Sequence, residues 1–252
     1  MTSLAPSVDV RRAAERFAST SERLDAWYSF AFGDFYDPTN TDFGLLVAFN
    51  EFVVAEGAGF ASHPHRDMEI VTWVLEGRLT HQDSAGNRGV VVPGVVQRLS
   101  AGSGVVHSEA NDVLHPGGRA QRVRFVQMWV VPDQPGLPPS YEQRAVDDAL
   151  ASGRLVPVAS GMAGHDAAVG ISQQDAALHV ARLAPGQSIQ LPDAPYVHLF
   201  VAGGAATLER TGALATGDAV RLTGTGGQQV SATEPAELLV WEMRADRATP
   251  RE

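Results

Sequence analysis

The sequence has no cysteine, no long apolar run and no excess of basic charge. The first absence excludes disulfides, thiolate metal sites and a cysteine nucleophile, so any metal must be held by nitrogen and oxygen. The second excludes a helix of roughly 18 or more apolar residues that could span a bilayer. The N-terminal stretch MTSLAPSVDVRRAAERF also lacks a signal-peptide pattern, so the expectation is a soluble, cytoplasmic protein without a membrane partner. Nineteen Lys and Arg stand against 29 Asp and Glu, a formal charge of −10 that repels phosphate backbones. Direct nucleic-acid binding is therefore not expected.

What is present is an ordinary globular composition rich in turn formers, with 25 Gly and 15 Pro in 252 residues. From Phe43 onward, short apolar runs such as LLVAFNEFVV, EIVTWVLEG, GVVVPG and VRFVQMWVV alternate with Gly, Pro, Asn and Asp. Runs of this length, rich in β-branched and aromatic residues, predict an all-β fold with short helical segments. After VQMWVVPD, four prolines between Pro132 and Pro139 remove backbone donors and mark a linker. EQRAVDDALASG beyond it has roughly helical spacing and a glycine stop, which predicts a short helix. The expected division is a first domain over 1–133, a linker with the helix over 134–158, and a second domain over 159–252.

The halves resemble each other. Gly57, His63, His65 and Glu69 have the spacing of Gly186, Pro192, Ala194 and His198. Further on, Gly94, Leu99, His107 and Glu109 have that of Gly217, Leu222, Val230 and Ala232. The repeat keeps scaffold residues and loses the polar cluster, so a second metal site is not expected.

On a strand, residues two apart point the same way. His63 and His65 in SHPHRDMEI can thus face one ion, and His107 and Glu109 in VVHSEAN, after a GSG turn, can face it from a second strand. Glu69 shares the first face if its strand runs on without interruption. Imidazoles with a carboxylate suit Fe(II), Mn, Ni, Cu or Zn, and spacing alone does not choose among them.

The run Gly57 to Gly77 resembles the first cupin motif, and HPHRDMEIVTWVLEG within it resembles the pirin family; GSGVVHSEAN resembles the second cupin motif. The similarity extends through YSFAFGDFYDP and HQDSAGNRGVVVPGVVQRLSAG, and within the family is greatest to bacterial pirin-like quercetin 2,3-dioxygenases. Gly102 replaces the proline of motif two, and Ser62 stands where many relatives carry proline.

The resemblance implies two cupin barrels in tandem, a bicupin. It implies one divalent transition metal per chain on His63, His65, His107 and Glu109 of the first barrel, Fe(II) ahead of Ni, Cu, Mn, Zn or Co. Glu109 would also be the catalytic proton acceptor. The implied partners are a small aromatic flavonol and dioxygen, which opens the ring with loss of carbon monoxide. The alternative it carries is a non-catalytic, redox-sensing protein that regulates a transcription factor or metabolic enzyme by binding it. A monomer is expected.

Other residues receive plainer readings. Glu69 either lines the pocket behind the ligands or pairs with Arg66 or Arg98. His81 sits near a turn, and His115, His165 and His179 have no partner at useful spacing, so all four are left out of the site. His198 is read as a core or interface residue. Met68, Trp73, Phe125, Met128 and Trp129 are candidates for a cavity floor or for barrel filling.

Overall fold

In a computed structural model, residues 5–111 and 121–248 are described, so His115 lies outside the described residues. The first half contributes β1 (Ser7–Arg11), β2 (Phe17–Thr20), β3 (Leu24–Tyr28), β4 (Leu46–Val54), β5 (Gly59–His65), β6 (Glu69–Glu76), β7 (Leu79–Asp83), β8 (Arg88–Val91), β9 (Val95–Ser100), β10 (Val105–Ala110), β11 (Val123–Val130) and β12 (Ser140–Ala145). One turn of helix, α1 (Asp147–Leu150), leads into β13 (Val156–Ser160), β14 (Val169–Gly170), β15 (Ala176–Leu183), β16 (Ser188–Gln190) and β17 (Tyr196–Gly203). The chain closes with β18 (Ala205–Leu208), β19 (Gly212–Ala215), β20 (Ala219–Thr223), β21 (Gln229–Ala232) and β22 (Ala236–Met243).

These strands build the expected bicupin. The first barrel pairs a seven-stranded sheet, β12-β9-β6-β11-β4-β3-β2, with a four-stranded one, β5-β10-β7-β8. The second repeats the plan with β1-β20-β17-β22-β15-β13-β14 and β16-β21-β18-β19. Each interior is filled from both sheets, by Phe52, Val74, Leu79 and Phe125 in the first barrel and Leu199, Leu214, Val230 and Leu238 in the second.

A further core forms where the two large sheets meet: Phe49, Trp73 and Met128 pack with Leu178, Phe200 and Trp241. Strands of these sheets are buried on both faces, which is why EIVTWVLE and YVHLFVAG read as continuous apolar runs rather than alternating ones. Trp73 Nε1 donates to Glu237 Oε1 at 2.6 Å, and Trp241 Nε1 lies 3.2 Å from Met128 Sδ, so each half reaches into the other. His198 is fully buried in this core against Phe49, as the core reading expects.

Two strands cross the expected division. β1 leaves the first half and pairs with β20 of the second, its end fixed by Asp218, which accepts from Arg12 Nη1 at 2.7 Å and Ala13 N at 2.9 Å. Ser140–Ala145, expected as linker and start of a helix, instead forms β12 against β9. The helix shrinks to Asp147–Leu150, because the alternation of SYEQRA is satisfied by strand pairing.

Pairing also corrects the repeat. Leu99 with Leu222, His107 with Val230 and Glu109 with Ala232 keep their equivalence. Glu69 however matches Tyr196, since these face Val130 and Met243, and His63 matches Ile189, since these face His107 and Val230. The shift arises because β5 spans seven residues with a bulge where β16 spans three.

Candidate metal centre

β5 and β10 pair antiparallel with His63 opposite His107 and His65 opposite Val105. The register shifts between His107 and Glu109, so that Glu109 faces Phe60. An extra residue in one strand re-aims side chains, and here it turns both Phe60 and His63 inward although they are three apart. Gly59 permits the approach of the two strands: a Cβ there would lie 2.2 Å from the backbone oxygen of Glu109.

The three imidazoles converge. Nε2 of His63 lies 3.1 Å from Nε2 of His107, and His65 closes the triangle with ring centroids 4.8 and 4.9 Å away. Two nitrogens each about 2.1 Å from one ion and at right angles would be about 3.0 Å apart. His63 Nδ1 donates to the Ala61 carbonyl at 2.8 Å, the tautomer that leaves Nε2 as a lone pair. His65 Nε2 is buried with no hydrogen-bond partner, an orphaned atom that an ion would satisfy.

Burial, with His63 as a secondary cause, lowers His65 to about 4. Burial chiefly, then His63, His65 and His81, lowers His107 to about 3. Both are therefore neutral at ordinary pH, the form that binds metal.

Glu109 stands beside this triangle. Its Oε2 accepts from Gln127 Nε2 at 2.8 Å, and its buried Oε1 has no partner. Burial pushes its carboxyl up to about 7, against the lowering effect of Gln127. The four expected residues fall, together with His81, into two overlapping triads that share His107: His63, His65 and His107 in one, and His81, His107 and Glu109 in the other. The residues present fit a nitrogen- and oxygen-bound divalent ion.

His81, left out of the site for its place near a turn, is 2% exposed and groups with His107 and Glu109. It faces Glu109 across the β7 and β10 pairing, and its Nε2 lies 3.4 Å from Asp83 Oδ2. Its ring stacks on Tyr141 at 4.7 Å, whose hydroxyl donates to Gln143 Oε1 at 2.7 Å. The signal in the sequence is the period of two in HQD, the same one that singles out His63 and His65.

Glu69 does not share the face of the histidines. Asp67 adopts φ +48° and its amide donates to Gly102 O, which ends β5 and moves the chain to the other sheet. Glu69 then accepts from Ser100 Oγ at 2.7 Å, and Arg98 reaches the same hydroxyl, so its partners lie on the far side of the large sheet. Of the five floor candidates, Trp129 lies against His65 at 4.9 Å and Phe125 packs on Phe60 inside the barrel. Trp73 and Met128 turn into the core between halves, and Met68 packs beside Ile70 and Leu99. Beyond Trp129, Phe32 and Tyr28 continue a half-exposed aromatic wall with centroid separations of 5.3 and 5.4 Å.

The chain is similar to known proteins in sequence and in fold. The Pirin family profile matches residues 8–130, and that of the quercetinase C-terminal cupin domain matches 158–243. A Mycobacterium tuberculosis protein provisionally named a quercetin 2,3-dioxygenase is 52% identical over 95% of this chain and 96% of its own. The Escherichia coli protein named quercetin 2,3-dioxygenase is 43% identical over 55% of this chain and 58% of its own. The crystal structure of the bacterial pirin YhhW from Escherichia coli in complex with nickel(II) superposes with a TM-score of 0.83 at 31% identity, covering 95% of this chain and 100% of that one.

Proposed function

The chain belongs to the pirin family, and from that premise we propose that it is a metal-dependent dioxygenase that opens flavonols of the quercetin type. The observation that carries this reading is the convergence of the His63, His65 and His107 nitrogens beside a buried carboxylate with a free oxygen. His63, His65, His107 and Glu109 are the proposed ligands. The nickel(II) complex of YhhW supports a divalent ion, and the donor set suits Fe(II), Ni, Cu, Mn, Zn or Co. A Lewis-acidic ion at this place would acidify a flavonol hydroxyl and align the resulting electron-rich ring with dioxygen.

The chain's own residues supply the rest. Burial lifts the Glu109 carboxyl to about 7 in the metal-free chain. A cation beside it would favour the ionised carboxylate, the form that can accept a proton from a flavonol hydroxyl. Gln127 holds Oε2, so Oε1 is the oxygen left open toward the ion and its bound substrate. The wall of Trp129, Phe32 and Tyr28 offers ring faces against which a planar aromatic substrate can stack.

The test is metal analysis of the wild-type chain and His63→Ala, followed by loss of quercetin absorbance under dioxygen. His63→Ala should hold one equivalent of metal fewer and show no turnover. Unchanged metal content in His63→Ala would remove the site assignment, and inert quercetin with the metal-loaded wild type would remove the substrate assignment.

A further inference from the structure

The second barrel has apolar residues where the first has ligands: Ile189, Val230 and Ala232 match His63, His107 and Glu109. Polar residues nevertheless return at other inward positions. By register, His179 on β15 takes the place of Asn50, and Glu242 on β22 takes the place of Trp129, the residue that lies against His65. His179 and Glu242 therefore stand on the same wall of their barrel, at the corresponding end.

His179 Nε2 is 3.1 Å from Glu242 Oε2. The segment after β13 brings His165 to the same place, with its ring centroid 5.5 Å from that of His179. That segment is anchored by Gly161 N to Ala176 O and Ile171 N to Ser160 O, both at 3.2 Å. Ser160 Oγ accepts from Met162 N at 3.0 Å and lies 3.3 Å from His165 Nδ1. A proton on that Nδ1, shared with Ser160, leaves His165 Nε2 as a lone pair.

An ion pair of His179 and Glu242 needs no third partner. A second imidazole converging on the same carboxylate is what a metal ion requires, and the donor atoms of all three residues lie within 4.8 Å of one another, as those of His63, His65 and His107 do. His179 is nearly buried while His165 and Glu242 are half-buried, so an ion can enter from solvent. Arg244 approaches Glu242 only through Oε1, at 3.9 Å, and leaves Oε2 on the histidine side.

We propose that His165, His179 and Glu242 form a second metal site, in the second barrel, which takes one divalent transition ion on two imidazole nitrogens and a carboxylate oxygen with water completing the coordination. The donor set favours Zn, Ni, Co or Cu over Ca or Mg. The site is independent of flavonol chemistry in the first barrel.

The test is a Co²⁺ titration read by visible absorbance, on the chain carrying His63→Ala and His107→Ala so that the first centre is disabled. That chain should still bind one equivalent. Adding Glu242→Gln, which keeps the size of the side chain and a hydrogen bond to His179, should abolish it, and so should adding His165→Asn in the connecting segment. In the otherwise unaltered chain, Glu242→Gln should lower the total from two equivalents to one. The proposal is overturned if the His63→Ala, His107→Ala chain, shown folded by circular dichroism, binds no cobalt. It is equally overturned if Glu242→Gln and His165→Asn both leave the equivalent in place.

Discussion

The Nδ1 atoms of His81 and His107 lie 3.5 Å apart, so one ring must donate where the other accepts. With the proton on His107 Nδ1, its Nε2 is free to face His63, and His81 in turn donates from Nε2 to Asp83. The two residues thus fix one tautomer of a proposed ligand.

His81→Phe keeps the stacking on Tyr141 and removes this hydrogen bond. It is expected to weaken metal binding about 10- to 100-fold, the effect of losing a partner behind a ligand. Competition with a chromophoric chelator measures it, and an unchanged affinity would exclude the orienting role.

Gly59→Ala places a methyl against the Glu109 carbonyl and must push β5 from β10. Such overpacking costs about 1–3 kcal/mol. The melting temperature and the metal content should fall together, because the same two strands carry the histidines. A variant that melts like wild type would contradict the close approach.

His198 is buried without a partner on either nitrogen. Its pKa is lowered from 6.5 to about 3 by burial first and by Arg221 second. Between about pH 6.5 and 3 the unfolded chain takes up a proton that the folded chain refuses, so stability declines as pH falls through this window. His198→Leu removes that contribution and should give a shallower acid limb in melting temperature against pH. Parallel limbs for the two proteins would refute it.

Because the proposed ligands converge only in the folded chain, added divalent metal should raise the melting temperature and a strong chelator should reverse the rise. At a free concentration a hundredfold above the dissociation constant the gain is about 2.7 kcal/mol. For a chain of this size each kcal/mol corresponds to roughly 2–4 °C. Scanning calorimetry of metal-free and metal-loaded protein reads this shift.

Much of this architecture was legible from spacing alone. The period of two places His63 with His65 and His107 with Glu109, and the pairing of β5 with β10 brings the two strands together as that period requires. The period fails at Glu69 because Asp67 leaves strand geometry, and no composition signal announces a positive φ at an aspartate. β12 was hidden because the prolines before it resemble a linker, whereas its alternation needs only the edge of β9. His165, His179 and Glu242 meet through three separate segments, so no local pattern could have joined them.

The placement of β1 sets an order on biosynthesis. Ala13, just past that strand, is bonded to Asp218, 205 residues later. At about 5–20 residues per second, synthesis of that interval takes roughly 10–40 s. Throughout it Ser7–Arg11 lacks the β20 strand it pairs with, an unpaired edge that invites association with neighbouring chains. Closure of the β1 edge therefore waits for β20, and a nascent chain arrested before β20 would carry that edge unpaired.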